Sequence, residues 1–595
     1  MTDHALTPKK PATAAAIAGM TVTALITVAC FLGGLLILPP VAWWASGDHA
    51  FLADPYFFGG MIETLLKDAL AHSTLLEKVV GVTDVPFAFV EALNRHSLTP
   101  SMSARVLSSL VAGVLLGNLA YDAIYTSKVP VIRVWHIAGP RLRANRAARR
   151  GLSAVWRKRF GRSEPGIELA RGLTLPRALE VLHFLLVGGT GAGKTTILQH
   201  MIGSALGKGD RMFMLDVKGD MTACFPSDAF VLLSIEDFRS DKWVPGWDFL
   251  TAADADELAI VLILATSDPS WSNGARKILS AIIRFLQKEM SVRRKAWTWK
   301  SLDRMLKMSI DDIHRILASF DPQAAAFIDV TQDETRKQAM SFYLVMLAGA
   351  AQTVEAFAAM GDAGPETFSI RRWFEGKDPR RAVILRQSQR SPQVSAMMVR
   401  LLLKVAADTA AEYAAEAAPA PTWFFLDEVA QIGKSEAVPR LAAIGRSAGI
   451  RMVTAVQSPS QLREIYGADG SQALLDNFTT KIVGRVAAGA TADEISEKWI
   501  GTRKVEWWET VGRDEAGRSK AEKKTGDVPV VDSQFLTDEL GFATSFVGNP
   551  TVKALVLGHR DVGLLTWTAG IWPIRRDSVV RPEDARRMAK YGRSS

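Results

Sequence analysis

The stretch "FLLVGGTGAGKTTILQH", residues Phe184 to His200, combines an apolar strand, a glycine-rich loop and the start of a helix. From Gly188 its spacing is G-x-x-x-x-G-K-T, a pattern in which backbone N–H groups and a helix N-terminus surround phosphate groups. We expect Lys194 to contact the outer phosphates and the Thr195 hydroxyl to ligate magnesium. The predicted phosphate-binding residues are Gly188, Gly189, Thr190, Gly191, Ala192, Gly193, Lys194, Thr195 and Thr196. The stretch therefore predicts an α/β protein that binds a nucleoside triphosphate.

Length and cysteine content restrict the class of protein. At 595 residues the chain has room for several domains. Its two cysteines, Cys30 and Cys224, cannot form a disulfide framework, and Cys224 follows the phosphate-binding segment, which indicates a reducing compartment for that part. No His and Cys cluster has the spacing of a zinc site, so we expect no metal other than Mg²⁺.

Two apolar segments near the N-terminus are candidates for membrane spans. Residues Ala14 to Leu38 carry no charge over 25 positions. As a helix this segment is roughly 37 Å long, enough for a hydrocarbon core of about 30 Å. A second segment, Val106 to Tyr125, is interrupted by Asn118 and Asp122. A buried helix of a soluble domain is therefore the alternative for the second segment.

The charge distribution favours two spans with both chain ends in the cytoplasm. Residues 45–104 hold seven Asp or Glu and three Lys or Arg, whereas residues 126–165 hold eleven Lys or Arg and one acid. The positive-inside rule then places the loop between the spans outside the cytoplasm. Residues 126–165 alone carry +10, against +9 for the whole chain. The basic balance thus reflects topology, with anionic lipid as a candidate contact, and is not evidence for DNA binding.

From about residue 166 the pattern of strands, turns and helices is typical of a parallel α/β fold. Four apolar runs end in polar residues: "FLLV" at Gly188, "RMFML" at Asp216–Asp220, "TWFFL" at Asp427–Gln431 and "IRMVTAV" at Gln457. Because ligands of parallel sheets collect at the carboxyl ends of the strands, these polar residues are expected to converge on one nucleotide.

The run "WFFLDE" supplies candidates for hydrolysis. Asp427 is expected to hold magnesium, and Glu428 to orient or deprotonate the water that attacks the γ-phosphate. Gln457 is placed to sense the γ-phosphate or that water, although an ordinary amide at a strand end explains it almost as well. Together with Lys194 these residues form the predicted catalytic set.

The distance along the chain between Lys194 and Asp427 predicts an insertion. They are 233 residues apart, whereas one βαβ unit needs about thirty. Helical patterns fill about 253–362, where Ile278, Ile282, Ile283 and Leu286 share one face and Ser309 with Asp312 resembles a capping box. We expect an all-helical domain that closes near Phe368–Trp373, "FSIRRW", before the strand "RAVIL" returns to the sheet.

These motifs together resemble the type IV coupling proteins, in particular the TraD/TrwB branch. The resemblance rests on two N-terminal spans, "GGTGAGKT", "GDRMFMLDVKGDM", the helical insertion, "FSIRRW", "WFFLDEVAQIGK", "GRSAGIRMVTAVQSPSQLREIYG" and "LLDNFTTKIVGRV". It covers most of residues 166–500 and fades afterwards. It implies a RecA-like P-loop ATPase core with an inserted all-α domain and an N-terminal two-helix transmembrane anchor.

The resemblance also implies a function. Members of this family are homohexameric ATPases of the inner membrane that use ATP and Mg²⁺. They receive a relaxase bound to single-stranded plasmid DNA, or a protein effector, and pass it to the channel of a type IV secretion system. Arg446, in "GRSAG", matches a position expected to reach a neighbouring subunit's nucleotide, although a surface arginine is unremarkable there. Asp216 and Lys218 match a family segment, and a role in the turn is the alternative.

The predicted domain organisation follows from these patterns. The chain divides into a cytoplasmic tail (1–13), a first span (14–38), a periplasmic segment (39–105), a second span (106–125), a basic linker (126–165), a nucleotide-binding domain in two parts (166–252 and 366–572), an all-α domain (253–365) and a basic tail (573–595). After about residue 500 we expect an exposed charged loop and then an edge strand, "VKALVLGH".

Two other functions fit the same motifs. One is a receptor that uses ATP to assemble and recruits cargo without sustained pumping. The other is a chromosome translocase of the FtsK or HerA kind, which predicts further spans and a C-terminal winged helix that are not evident. An ABC exporter is disfavoured because no LSGGQ-like signature is found. The complete hydrolytic set favours the motor.

Overall fold

The computed structural model describes residues 134–331, 333–361, 367–413, 421–445, 447–513, 519–543, 549–570 and 572–584, with residues 111–117 and a few single positions before them. Both predicted spans, 14–38 and 106–125, lie outside the described residues apart from isolated positions and the helical stretch 111–117. The chain divides into two compact units. One comprises Met1–Ile137 and Lys504–Gly526, and the other comprises Ala138–Arg503 and Asp527–Ser595.

The larger unit contains a sheet of eleven described strands. Their order is β2 (Leu142–Ala144), β18 (Val562–Thr568), β17 (Thr551–Leu557), β13 (Thr480–Val483), β5 (Phe184–Val187), β12 (Ile450–Val456), β11 (Thr422–Leu426), β6 (Arg211–Asp216), β10 (Ala382–Arg386) and β7 (Phe230–Leu233), and β16 (Gly541–Ala543) pairs with β17. All neighbours from β13 to β7 are parallel. Strand β17 is antiparallel to β13 and to β18.

Burial on both faces explains the continuous apolar runs of the central strands. In β5, Phe184 and Leu186 belong to one hydrophobic core, whereas Leu185 and Val187 belong to the other. Successive side chains of a strand point to opposite faces, so a strand covered on both sides needs apolar residues at every position. The sheet is therefore covered on both faces, which agrees with the parallel α/β fold that the sequence predicts.

Helices connect and cover these strands. The described α-helices are α1 (Asn145–Phe160), α2 (Arg177–Glu180), α3 (Lys194–Gly207), α4 (Asp220–Cys224), α5 (Ala252–Leu262), α6 (Pro269–Arg293), α7 (Trp299–Leu306), α8 (Ile310–Phe320), α9 (Pro322–Ala325), α10 (Asp333–Ala359), α11 (Ile370–Phe374), α12 (Pro392–Tyr413), α13 (Ala437–Ile444), α14 (Pro459–Asp476), α15 (Ala490–Glu494) and α16 (Ser533–Asp538). Helices α5 to α10 follow one another between β8 (Lys242–Trp243) and β9 (Thr367–Phe368) and form the helical insertion.

The sequence signals inside the insertion correspond to observed contacts. Ile278, Ile282 and Ile283 are fully buried, as their shared face predicts. The Ser309 hydroxyl caps α8 by accepting a hydrogen bond from the Asp312 N–H at 3.2 Å. The Asp312 carboxylate bonds the Ser309 hydroxyl and not its backbone N–H, so half of the expected capping box is formed.

A buried carboxylate holds together the point where the chain leaves the sheet and returns. Strands β8 and β9 pair in parallel there. The Asp248 carboxylate accepts hydrogen bonds from the Ser369 hydroxyl and the Trp243 indole, each at 2.6 Å, and from the Arg371 N–H at 3.0 Å. Burial raises the pKa of Asp248, and these donors oppose the rise. The segment "FSIRRW" therefore closes the insertion through Asp248, a contact that the sequence did not indicate.

One helix in the described part of the chain, Thr335–Ala359, is long and apolar enough to cross a membrane by length and composition. Its buried residues Phe342, Met346, Ala350 and Val354 recur at helical spacing and face the core of the insertion. Such a pattern is typical of the central helix of a helical domain, so it is weak evidence for a span.

The C-terminal part of the sheet corrects one prediction. The segment "VKALVLGH" was expected to be an edge strand, but β17 lies inside the sheet, between β13 and β18. Strand β18 and the three-residue β2 extend the sheet beyond it. The strand that covers the outer edge of β17 is β18, which follows it in the chain as its antiparallel neighbour, and the sequence analysis did not identify β18 as a strand.

The charged segment after residue 500 is also different from its prediction. It was expected to be a loop, but β14 (Thr502–Arg513) and β15 (Ser519–Pro529) form a hairpin that continues to β1 (Val134–Ala138) in a three-stranded sheet. Lys523 on one strand forms a 2.9 Å ion pair with Glu506 on the other. Cross-strand pairs of opposite charge stabilise such hairpins, so high charge did not exclude strands.

Two segments predicted to be a linker and a tail contain described residues that pack within the larger unit. In the basic linker 126–165, helix α1 buries Ala148, Leu152 and Trp156 on one face against β18. In the tail, described to residue 584, Arg576 lies over the Phe230 ring, with 5.0 Å between the guanidinium carbon and the ring centroid. Basic composition therefore marked surfaces of folded elements, and its relation to membrane topology stays a prediction.

Candidate nucleotide-binding site

The predicted site residues meet at one edge of the sheet. Strands β5, β12, β11 and β6 are consecutive neighbours, and all four are parallel. Their carboxyl ends carry the glycine-rich loop, Gln457, the pair Asp427–Glu428, and Asp216 with Lys218, respectively. The strand order therefore brings together residues that are up to 269 positions apart in the sequence (188 to 457).

The loop is held by backbone hydrogen bonds to its neighbours. The Gly189 N–H donates to the Arg485 carbonyl at 2.8 Å, and the Gly188 N–H donates to the Val456 carbonyl at 3.2 Å. The Lys194 ammonium donates to the Gly188 carbonyl at 2.5 Å, so the lysine side chain curls over the loop. This arrangement leaves a helix N-terminus, that of α3, facing the cavity.

Gly193 is required by its geometry. Its φ of +83° lies in the left-handed region, and a Cβ atom there would lie 2.4 Å from the Val552 Cγ1 atom. Both the backbone conformation and the contact exclude a side chain. The close approach of Val552, on β17, fixes the first turn of α3 against the sheet, which the loop motif alone did not indicate.

The two acids lie beside the lysine in a poorly solvated environment. Asp427 and Glu428 are 8% and 9% exposed. Burial, with the nearby charge of Asp216, raises the pKa of Asp427 to about 6, while Lys194 and Lys218 oppose the rise. Burial likewise raises the pKa of Glu428 and lowers that of Lys194. The three groups therefore lie close enough for each charge to affect the pKa of the others, an arrangement that is common at functional sites.

Gln457 contacts one of these acids. Its side-chain amide donates to the Glu428 Oε2 atom at 3.2 Å. The other carboxylate oxygen, Oε1, is buried and has no hydrogen-bond partner among the described residues. Gln457 therefore orients the Glu428 carboxylate and leaves one oxygen available to accept a hydrogen bond.

Asp216 has a structural role in the turn after β6. Its carboxylate accepts hydrogen bonds from the Gly219 N–H at 2.8 Å and from the Thr222 N–H and hydroxyl, each at 2.7 Å. These bonds hold the start of α4. They correspond to the role in the turn that the sequence analysis gave as the alternative for Asp216. Lys218 is exposed and lines the cavity.

The site encloses a cavity of about 380 Å³. It is lined by the loop residues 189–196, Val217, Lys218, Asp427, Glu428, Gln431, Gln457 and Phe542. The sequence assigned no role to Gln431 or Phe542. Gln431 ends the segment "DEVAQ", which was expected to lie near the nucleotide. Phe542 follows Asp427 by 115 residues, and no motif in the sequence around it indicates a place in the cavity. Arg446, the predicted arginine finger, lies outside the described residues.

Comparison with known proteins identifies relatives of this architecture. A family model described as "Type IV secretion-system coupling protein DNA-binding domain" matches residues 168–542. The coupling protein TraD of Escherichia coli (strain K12) is 24% identical over 335 residues, which are 55% of this chain and 45% of TraD. The matched part thus spans less than half of TraD.

Solved structures agree in fold. The unbound monoclinic form of the bacterial conjugative coupling protein TrwB superposes with a TM-score of 0.57 at 21% identity, covering 75% of this chain and 98% of that one. The TrwB complex with ADP and Mg²⁺ gives a TM-score of 0.57 at 20% identity, covering 76% and 98%. Since the family model covers more than half of the sequence and the same region carries the loop, the acids and the helical insertion, the chain belongs to the family of type IV secretion-system coupling proteins.

Proposed function

We propose that this chain is an inner-membrane ATPase that assembles as a homohexamer and drives cargo toward a type IV secretion channel. The cargo is single-stranded plasmid DNA attached to a relaxase, or a protein effector. The observation that carries the proposal is the meeting of Lys194, Asp427 and Glu428 in one cavity, where a buried Glu428 oxygen has no partner among the described residues. Such an oxygen is suited to accept a proton from water.

The side chains divide the work of hydrolysis among them. The loop N–H groups and the Lys194 ammonium bind the β- and γ-phosphates and offset their charge. Gln457 holds the Glu428 Oε2 atom, and the Oε1 atom, which has no partner among the described residues, is the one proposed to accept the proton of the attacking water. Glu428 takes the proton from that water while the oxygen of the water forms a bond to the γ-phosphorus. The bond between the γ-phosphorus and the oxygen of the leaving ADP breaks in the same step. Burial favours this step because it raises the proton affinity of the carboxylate.

The site also fits a magnesium ion. The Thr195 hydroxyl and the Asp427 carboxylate line the same cavity and are the residues that would hold it. Both offer oxygen ligands, which magnesium prefers. Burial, with the negative charge of Asp216, raises the pKa of Asp427, so a bound cation would stabilise the charged carboxylate. When bound, magnesium offsets phosphate charge. TrwB has been solved with ADP and Mg²⁺ and with a non-hydrolysable ATP analogue, which supports the same ligands here.

Arg446 is proposed to act on a neighbouring subunit's nucleotide. It follows Gly445, the residue after α13, in the segment between the Asp427 strand and β12. An arginine finger supplied by another subunit is a recurrent device of such motors, and it would make hydrolysis depend on ring assembly. The two predicted spans would hold the subunits in one membrane, with the nucleotide-binding unit and the helical insertion in the cytoplasm.

The decisive experiment measures phosphate release by the full-length chain in detergent, with MgATP and with or without single-stranded DNA. We expect hydrolysis that DNA stimulates, and we expect Lys194→Ala to abolish it. A chain that binds ATP and retains relaxase or effector in a pull-down, but hydrolyses nothing with or without DNA, would instead be the receptor that recruits cargo without pumping.

A further inference from the structure

Phe542 is an unusual side chain for the place it occupies. It lines the cavity of the phosphate-binding loop, yet 51% of it is exposed. Among the described lining residues it is the one aromatic group. A large apolar ring that is half exposed in a polar cavity gains little from packing, which suggests a ligand that covers it.

Strand pairing determines which way the ring faces. Phe542 lies directly opposite Val552 in the antiparallel pair of β16 and β17. Opposed residues of an antiparallel pair project from the same face of the sheet. Val552 is fully buried and lies against Gly193 of the phosphate-binding loop. Phe542 therefore projects from the face that carries the loop, and β16 lies on the edge of β17 that also pairs with β13, because β18 covers the other edge.

Arg485 fills the space between the loop and β16. A Cβ atom at Gly191 would lie 3.6 Å from the Arg485 Nη2 atom, so the guanidinium is beside the loop. At Gly541, a Cβ atom would lie 3.1 Å from the Arg485 Cβ atom, and the φ of +91° there also favours glycine. The strand that carries Phe542 is thus held close to the loop by a glycine that allows the contact.

The cavity therefore has two chemically different sides. Asp427, Glu428 and Gln457 lie at the carboxyl ends of β11 and β12, where the γ-phosphate and the attacking water belong. Phe542 and Arg485 lie on the other side of the loop, toward β13, β17 and β16. A nucleotide whose phosphates are held by the loop must direct its ribose and base away from the acids.

We propose that Phe542 is the platform on which the purine base of the bound nucleotide stacks. This inference rests on the proposed function, because it assumes that the loop holds a nucleoside triphosphate. A base has a flat, weakly polar face that matches a phenyl ring, and such stacking is sequence-tolerant because every base presents a π-face. The platform reads the face of the base and not its edge, so adenine and guanine are accepted alike.

The test compares ligands that share the phosphates but differ in the base. Binding of tripolyphosphate and of non-hydrolysable ATP and GTP analogues, each with Mg²⁺, is measured by calorimetry on the full-length chain in detergent. Phe542→Ala should weaken both nucleotides by roughly tenfold or more, as removal of a stacking ring does, and leave tripolyphosphate unchanged. Phe542→Leu keeps an apolar side chain and the fold, and it should show the same selective loss. Phe542→Tyr should bind all three ligands normally.

A matched control is Phe238→Ala. Phe238 is 67% exposed and follows β7 at the far edge of the sheet, five strands from β5 and so roughly 24 Å away. The Phe238→Ala variant should bind tripolyphosphate and the ATP and GTP analogues with unchanged affinity.

The inference is overturned if Phe542→Leu binds the nucleotides like the wild type. It is also overturned if that variant loses tripolyphosphate equally, because the ring would then only support the loop. Loss of one purine nucleotide but not the other would show recognition of the base edge and likewise reject stacking. Failure of the wild type to bind tripolyphosphate at all would contradict the proposed function instead.

Discussion

The Glu428→Gln variant tests the assignment of the general base most directly. The amide has nearly the same shape as the carboxylate, and its carbonyl oxygen can still accept the hydrogen bond that Gln457 donates at 3.2 Å. The other position, now an NH₂ group, can only donate. The attacking water would thus lose its proton acceptor while the loop and Lys194 remain in place.

The size of the effect follows from this geometry. General base catalysis contributes about 10²- to 10⁴-fold, which corresponds to about 3–5 kcal/mol of transition-state stabilisation. ATP affinity should stay equal or rise, because a negative charge near the γ-phosphate is removed. The folded state should not lose stability, since burial already disfavours the charged form of Glu428, as its raised pKa shows.

The assay is single-turnover hydrolysis of radiolabelled ATP by the full-length chain, together with equilibrium ATP binding and thermal unfolding. The matched control is Glu436→Gln, the same change at an exposed position nearby, which should hydrolyse ATP normally. A Glu428→Gln protein that hydrolyses ATP within about threefold of the wild type would refute the assignment. Loss of ATP binding would show that Glu428 supports nucleotide binding and would also contradict its assignment as a base for hydrolysis alone.

Three further predictions address protonation, assembly and topology. Because the pKa of Asp427 is raised to about 6, its carboxylate loses its charge as the pH falls through 6. The affinity for Mg²⁺ in the presence of ATP should therefore decrease at pH values below 6 and stay constant above 6. Binding titrations between pH 5 and 8 test this. For the same reason the folded state binds this proton more tightly than the unfolded state does. The contribution of Asp427 to the free energy of unfolding should therefore decrease as the pH rises from about 4 to 6. The Asp427→Asn variant should lack this pH dependence in its unfolding curves. The Arg446→Ala variant should bind ATP but hydrolyse it about a thousandfold more slowly. If the arginine acts between subunits, mixing this variant with Lys194→Ala should restore part of the rate. No gain on mixing would place Arg446 in its own subunit's site or outside catalysis. Reporters fused after residues 70 and 160 should be periplasmic and cytoplasmic, respectively, and two reporters on the same side would remove the second span.

Most of the residues that meet at the candidate site could be named from the sequence because their signals are local. The loop needs glycines, a lysine and a threonine at fixed spacing, and the acids need only to follow an apolar strand, as Asp427 and Glu428 do. Convergence of the polar strand ends was inferred from the rule that ligands of parallel sheets collect at the carboxyl ends of the strands, and the neighbours β5, β12, β11 and β6 bring these ends together. The hairpin β14–β15 was missed because charge was taken to indicate a loop.

The contacts that no local pattern encodes needed the tertiary structure. The hydrogen bond from Gln457 to Glu428, the buried carboxylate of Asp248 and the position of β17 all join segments far apart in the chain. The same holds for Phe542, which reaches the cavity only because β16 pairs with β17 and β17 lies beside the loop.

The sequence by itself determined the kind of chemistry, because phosphate binding depends on residue types at short spacing and on strands whose apolar runs bury both faces. Only the tertiary structure decided which oxygen of Glu428 is available, that burial raises the pKa of Asp427, and which aromatic ring borders the site. These properties depend on desolvation and on distances between side chains from different strands. Both are set by how distant segments of the chain pack together and not by any short stretch of sequence.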